Sequence, residues 1–199
     1  IWEVTSRRVL LIGSMHPDNL KHLNYDLLVL MVQDTLTLKT LINLNKIIKI
    51  LLKIDTGMHR QGFDLDEIPK VLKMLSGSKL ILEGVFSHLA DADNPQDEFT
   101  KIQIEKFNET VTKIKREGFD PKYFHVSATY GVEKANISPF NAVRLGLGLY
   151  GFGNRNLKPA LRLLSTIIKI HHIEKGERVS YNLTFTAKEK MKIGVIPLG

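Results

Sequence analysis

The chain has 199 residues, 43% of them hydrophobic, enough for one packed domain and part of a second. It contains no cysteine, which excludes disulfides and thiolate metal sites and permits a cytoplasmic location. No run approaches the roughly eighteen uncharged apolar residues of a membrane helix, and the net charge of +7 comes from scattered lysines and arginines. The short basic clusters at Lys113, Lys115, Arg116 and at Lys188, Lys190, Lys192 are not interleaved with aromatics, so they read as solvated faces rather than a nucleic-acid surface.

Strand-like apolar runs recur at Val9 to Ile12, Leu27 to Val32, Ile48 to Ile54, Leu80 to Phe86, Tyr123 to Val126 and Ala142 to Tyr150. Helical patterns fill most of the gaps. Asp34 is placed to cap a helix with Leu38, Leu41 and Ile42 on one face, and Asp66 to open another carrying Ile68, Val71, Leu72 and Leu75, closed by Gly77. A third helix is expected from Thr100 to Glu117, with Ile104, Phe107, Val111 and Ile114 in a stripe and Gly118 and Pro121 ending it. Alternating strands and helices imply an α/β fold with a parallel sheet, here about six βα units.

After Gly151 the texture changes. Gly153 to Asn156 reads as a linker, Glu174 to Glu177 as a turn, and Val179, Tyr181, Leu183 and Phe185 alternate at period two, as in a strand. The expected division is therefore residues 1–152 as an α/β domain and 153–199 as the beginning of a β domain.

Three segments carry chemistry. In Lys53-Ile-Asp-Thr-Gly-Met-His-Arg60-Gln-Gly-Phe63, an apolar run delivers a lysine and an aspartate to a strand end, and a glycine turn lets a ligand approach the backbone. By itself this is also an ordinary strand-to-helix turn. The second segment is Gly84-Val-Phe-Ser-His88-Leu-Ala-Asp91-Ala-Asp93. The third is Val143-Arg144-Leu-Gly146-Leu-Gly148-Leu-Tyr150-Gly151. His88, Asp91 and Asp93 have the look of a metal array, which keeps a metal-dependent TIM-barrel hydrolase open as an alternative, although such sites need further converging histidines.

In their order and separations these segments resemble the alanine racemases, enzymes that hold pyridoxal phosphate in a TIM barrel followed by a β domain. The resemblance continues through Leu157-Lys-Pro159, Lys175-Gly-Glu-Arg-Val-Ser-Tyr181 and Ile196-Pro-Leu-Gly199. It implies a partial (β/α)8 barrel with about six of its eight units and the start of the C-terminal β domain. It also implies that Arg144 donates to the pyridine nitrogen, which then stays unprotonated because an arginine does not give up its proton near neutrality. His88 would fix that guanidinium and Arg60 would contact the phenolic oxygen, so that Arg60, His88 and Arg144 support catalysis. Ser127 and the N–H groups of Gly146 and Leu147 would hold the phosphate. Lys53 matches a lysine often carbamylated in the family, a change that makes it an anion beside Arg60. Alanine as substrate, peptidoglycan as destination, a homodimer in the intact protein and a cytoplasmic location, with no nucleic-acid or membrane partner, are implied in the same way.

The chain also departs from the family pattern. Val126 stands where an asparagine usually precedes the serine. Neither the Schiff-base lysine of the first barrel strand nor the opposing tyrosine is recognisable. Lys21 lies in a polar stretch without the expected neighbours, and Lys134-Ala-Asn136 imitates three letters of that motif in the wrong place. The 199 residues thus read as a truncated central piece, inactive alone. A non-catalytic scaffold, or a racemase for another amino acid, stays open.

Overall fold

The computed structural model describes residues 6–94, 98–132, 139–153 and 156–198. The chain divides into two compact units, Ile1–Lys158 and Pro159–Gly199. Lys134 to Asn136 and part of the expected linker, 154–155, lie outside the described residues.

In the first unit, strands β1 (Val9–Leu11), β2 (Leu28–Val32), β3 (Ile48–Lys53), β4 (Leu80–Phe86) and β5 (Tyr123–His125) form one sheet in the order β1-β2-β3-β4-β5. Every pairing is parallel. Each strand lies beside its successor in sequence, the winding of a barrel; a doubly wound sheet would reverse its order partway. Helices α1 (Pro17–Leu20), α2 (Thr35–Asn43), α3 (Ile68–Ser76) and α4 (Phe99–Arg116) occupy the connections.

The two faces of the sheet differ. One packs Leu28, Leu30, Val32, Ile48, Ile50, Leu52, Val85 and Phe124 against Leu38 and Leu41 of α2, Val71, Leu72 and Leu75 of α3, and Phe107, Val111 and Ile114 of α4. The other holds a smaller cluster of Val29, Met31, Leu51 and Phe86. A register shift between Ile50 and Leu51 pairs Ile50 with Leu82 but Leu51 with Gly84, so Glu83 is an extra residue. Such a bulge re-aims the side chains beyond it. Past it, Phe86 pairs with Lys53 and His125 pairs with Phe86. Glu83 itself is buried, with Arg8 bonded to its carboxylate and Lys49 at 3.7 Å.

Three expectations need correction. The run from Ala142 to Tyr150 is not a sixth strand, so among the described residues five parallel strands stand where six were expected. Asn141 occupies the edge of β5 with its side chain, accepting from the Phe124 N–H at 2.9 Å and donating to the Lys122 carbonyl at 2.7 Å. Among the described residues the backbone that follows bonds β5 and its extension through the N–H groups of Asn141 and Arg144 alone, three residues apart, and turns into a 3-10 helix at Leu147–Tyr150. A ladder requires bonds every two residues. Val143, Leu145, Leu147 and Leu149 are accordingly exposed, and their apolar character was the misleading signal.

The second correction concerns α3, whose N-cap is Glu67 without a side-chain cap bond; Asp66 does not cap it. The Glu67 carboxylate instead accepts from the Asp64 N–H at 3.0 Å, and Pro69 at the helix start supplies the fixed φ that a cap would otherwise help to select. Third, the period-two run from Val179 to Phe185 is not one strand. Ser180, Asn182 and Leu183 take positive φ of 63°, 56° and 50°, which splits it into β7 (Arg178–Val179) and β8 (Phe185–Thr186) paired antiparallel. The other antiparallel pair of the second unit is β6 (Lys169–Ile173) with β9 (Met191–Val195). The turn at Glu174 to Glu177 forms as expected, with Gly176 at φ 92°.

Asp34 does cap α2: its carboxylate accepts from the Thr37 N–H at 2.7 Å and from the Thr37 hydroxyl at 3.0 Å. Replacing it with alanine removes both bonds. Asp34→Ala is expected to lose about 1 kcal/mol in urea denaturation, and Asp34→Asn considerably less.

Candidate active site

The chemistry-bearing segments meet at the carboxyl ends of β3, β4 and β5. This is where βα loops gather in barrel enzymes. The first loop is shaped by its own backbone. Asp55 accepts from the N–H groups of Gly57 at 2.8 Å and Met58 at 2.9 Å, an Asx turn that reverses the chain just past β3. Burial would raise this carboxyl's pKa, but the backbone N–H groups of Gly57, His59 and Met58 outweigh it and hold the group below its ordinary value. Asp55 therefore builds the turn rather than facing a ligand.

The chain then doubles back. The Phe63 N–H donates to the Lys53 carbonyl and the Asp55 N–H to the Phe63 carbonyl, both at 2.9 Å. Gly62 sits in that crossing at φ 124°, where a Cβ would lie 2.8 Å from the Asp55 nitrogen. Only glycine fits there. The loop between these anchors carries Arg60 on its exposed side, and its charge reaches Lys53, His88 and Arg144.

Arg144 is the hub. One terminal nitrogen, Nη2, donates to the Ser87 carbonyl at 2.8 Å, to His88 Nδ1 at 2.9 Å and to the Val126 carbonyl at 3.3 Å. The other, Nη1, donates to His125 Nδ1 and reaches the His125 carbonyl at 3.4 Å. A guanidinium only donates, so both imidazoles accept through Nδ1 and carry their proton on Nε2. Both are held neutral. Burial, then Arg144, Arg60 and Lys53, lowers His88 to about 4; burial, then Arg144, lowers His125 to about 3. Burial and then Arg60 lower Arg144 to about 10, which leaves it charged at neutral pH. The guanidinium also lies over the Phe86 ring, 5.0 Å from its centroid, and His125 stacks on that same ring at 4.9 Å. Among the described residues the remaining donor, Nε–H, has no acceptor.

Lys53 is buried with its ammonium 3.2 Å from Gln61 Oε1, and its pKa is lowered by burial and then by Arg60 and Arg144. Ser127 is buried too, but its hydroxyl donates to the Gly131 carbonyl at 2.9 Å, so serving an anion would require it to rotate away from that bond. Gly146 and Leu147 lie at the start of the 3-10 turn, and two bonds tie this turn to the Ser127 loop. The Arg144 N–H donates to the Ser127 carbonyl at 3.1 Å and the Gly148 N–H to Thr129 Oγ1 at 3.0 Å. Neither the Gly146 nor the Leu147 N–H has an acceptor among the described residues, and open space surrounds Gly146.

The structure thus gathers Lys53, Arg60, His88, Ser127 and Arg144 at one sheet end and places Gly146 and Leu147 on the loop following Arg144. It does not assemble the alternative metal array. His88 faces Arg144, Asp91 accepts from Asn94 at 2.9 Å on the surface, and no cluster of three candidate ligands occurs among the described residues. Lys21 lies elsewhere, ending α1 and donating to Asp18 at 3.0 Å. His125 was missed as a site residue by sequence reasoning. Its signal was available in the strand pairing, opposite Phe86 and adjacent to the position where Arg144 arrives.

Two histidines buried neutral make stability depend on pH. The unfolded chain protonates them near their ordinary value of about 6.5, while the folded chain does so only near 4 and 3. Between these limits the unfolded state binds up to about two more protons, so stability falls as pH is lowered from about 6.5 towards 4. Urea denaturation at several pH values should show this slope, and His125→Gln should flatten it.

The comparisons with known proteins agree with this architecture. Residues 3–153 match the model of the alanine racemase N-terminal domain and residues 160–199 that of the C-terminal domain. Alanine racemase from Borreliella burgdorferi strain ZS7 is 40% identical over 162 residues, covering 76% of this chain and 43% of that protein. The Carboxydothermus hydrogenoformans alanine racemase is 34% identical over 203 residues, covering 96% of this chain and 55% of the relative. Among solved structures, Bacillus anthracis alanine racemase with bound L-Ala-P superposes with a TM-score of 0.80 at 28% identity, over 100% of this chain and 55% of that one. The chain spans about half the length of the relatives it matches. The strand order, the paired loops around Arg144 and the two successive domain matches have one common explanation: this chain belongs to the alanine racemase family.

Proposed function

We propose that this chain forms the arginine and phosphate side of a pyridoxal phosphate site in an enzyme that interconverts L- and D-alanine, the latter for peptidoglycan. The observation that carries the reading is the Nε–H of Arg144, a donor without an acceptor among the described residues on a guanidinium whose other two nitrogens are engaged. A ring nitrogen placed there receives a hydrogen bond from a group that stays protonated, so it accepts without gaining a proton. The donor set suits an anionic cofactor: Lys53, Arg60 and Arg144 supply positive charge, and the open N–H groups of Gly146 and Leu147 suit a phosphate. When bound, pyridoxal phosphate supplies the electron-withdrawing ring that acidifies the substrate's Cα–H.

Around it, the chain's own groups orient and neutralise. His88 and His125 hold the fork of Arg144, and Arg60 stands ready for an oxygen of the ring. Ser127 adds a hydroxyl to the phosphate loop once it turns from Gly131. Lys53, with its depressed pKa, is suited to carbamylation. Its neutral amine lone pair attacks carbon dioxide, an N–C bond forms, one C–O π pair moves onto oxygen, and the displaced proton goes to solvent. The product is an anion between two arginines, where the free ammonium is a third cation. Proton transfer at Cα needs a base on each face, and we assign neither base to these 199 residues. In the intact enzyme the substrate is alanine, the assembly is a homodimer and the compartment is the cytoplasm.

Equilibrium dialysis with pyridoxal phosphate tests the reading directly: Arg144→Ala should weaken binding at least about tenfold. Equal binding by wild type and variant would remove the proposal's foundation. The 199-residue chain supplied with cofactor should not exchange the Cα proton of alanine for deuterium. Incubation with 13C-labelled bicarbonate should produce a protein carbamate resonance that is absent in Lys53→Arg.

A further inference from the structure

We propose that Gln103, on α4, is a positioning residue that locks the Arg60 turn and the His88 loop to one another. The inference rests on the reading that these loops flank the cofactor. Gln103 is wholly buried and lies on the face of α4 that also carries Phe107, Val111 and Ile114, with the small hydroxyls of Thr100 and Thr110. A helix needs only an apolar side chain at such a position to fill the core, and Met or Leu would serve. An amide there is unfavourable unless every hydrogen bond is made.

Both amide hydrogens and the carbonyl oxygen are bonded, and each bond goes to the site. Gln103 Oε1 accepts from the Ala90 N–H at 2.8 Å, which fixes the orientation of the amide because that backbone group can only donate. The two hydrogens of Nε2 then go to the His88 carbonyl at 3.1 Å and to Thr56 Oγ1 at 3.2 Å. Thr56 Oγ1, which accepts that bond, is also hydrogen-bonded to Ser87 Oγ at 2.8 Å. The carbonyl of the same Ser87 receives Nη2 of Arg144. One neutral side chain therefore bonds the backbone on either side of Leu89 and, through Thr56 and Ser87, connects the turn that carries Arg60 to the strand end that receives Arg144.

The geometry explains the need. Past Phe86, β4 has little of the ladder left: β5 ends at His125, and the backbone from His88 to Ala90 takes its bonds from Gln103. Without them the carbonyl of His88 and the N–H of Ala90 would be left without these partners, and the imidazole would lose its fixed approach to Arg144. A second contact from α4 acts on the same turn: the Phe99 ring occupies the space that a Cβ on Gly57 would need, 2.5 Å from its position. His125, by contrast, belongs to β5 and has no bond to Gln103. A carboxylate at position 103 would put an anion beside the positive charges that face His88, namely Arg144, Arg60 and Lys53. The neutral amide fixes geometry without altering that field.

The test uses Gln103→Asn, which keeps a polar neutral amide too short to span the three partners, and Gln103→Met, which keeps the length and loses all three bonds. Long-range 1H–15N NMR of the histidine rings in the 199-residue chain is the principal readout. Both variants should lose the single Nε2–H tautomer signature of His88 and show a tautomer mixture, with the His88 titration midpoint moved up from about 4, while His125 keeps its signature. Affinity for pyridoxal phosphate should fall about tenfold in parallel, the scale on which partners behind a binding group act. An unchanged His88, or His88 and His125 changing together, would overturn the positioning role in favour of a general contribution to stability. If Gln103→Met does not fold, Gln103→Asn decides by the same two signatures. A wild-type chain that fails to bind the cofactor would count against the proposed function, while the ring spectra would still decide the role of Gln103.

Discussion

A partly buried cation without a carboxylate partner governs this site. Arg144 is satisfied by carbonyl oxygens and by two imidazole lone pairs, and among the described residues no acid comes within ion-pair range of it. Neutral acceptors meet the hydrogen-bonding requirement of a guanidinium but leave its charge uncompensated. Lys53 and Arg60 add to the same field, which acts after burial, the larger cause, to lower the pKa values of Lys53, His88 and Arg144. Asp55, an acid whose charge acts on Lys53, spends lone pairs on the N–H groups of its own turn. Such a cluster is electrostatically incomplete, and an anionic ligand is the natural complement.

The same logic separates the two faces of the sheet. Facing the helices, a large apolar cluster from Leu20 to Val126 accounts for most of the buried side chains, with Gln103 buried among them as a polar exception from α4. Facing the other way, a few apolar residues sit between Glu83 with its cations at one end and the Arg144 cluster at the other. The bulge at Glu83 joins these two polar regions. By adding one residue it brings Phe86 in line with Lys53 and His125, so the ring meets the guanidinium and the imidazole on one side. The burial that stabilises the domain and the charge that serves the site are thus on opposite sides of one strand layer.

The sequence made much of this legible. Strand ends were legible where local apolar runs fix the direction of the chain: Lys53 ends β3 and His88 follows β4. Two of the failures were inferences from periodicity alone. The run from Ala142 to Tyr150 is apolar enough for a strand, but the Asn141 side chain had already taken the edge bonds of β5. The alternation from Val179 to Phe185 was broken by left-handed residues that no hydrophobic pattern signals. Ser127 lies just past β5, where the strand run ends, and its proton is committed to Gly131, a detail set by a local turn.

His125 and Gln103 were overlooked for a different reason, since each owes its role to partners far away in the chain. His125 gains its meaning from Phe86 and Arg144, and Gln103 from Thr56, His88 and Ala90. Gln103 did leave a trace, being a polar residue on an apolar helical stripe. Burying an amide is unfavourable in the absence of partners, so a glutamine at such a position implies that backbone or side-chain groups wait for it across the interface. Here those groups belong to both loops of the site. The helix-facing core and the ligand-facing charges are therefore not independent: a single side chain from the former holds the geometry of the latter.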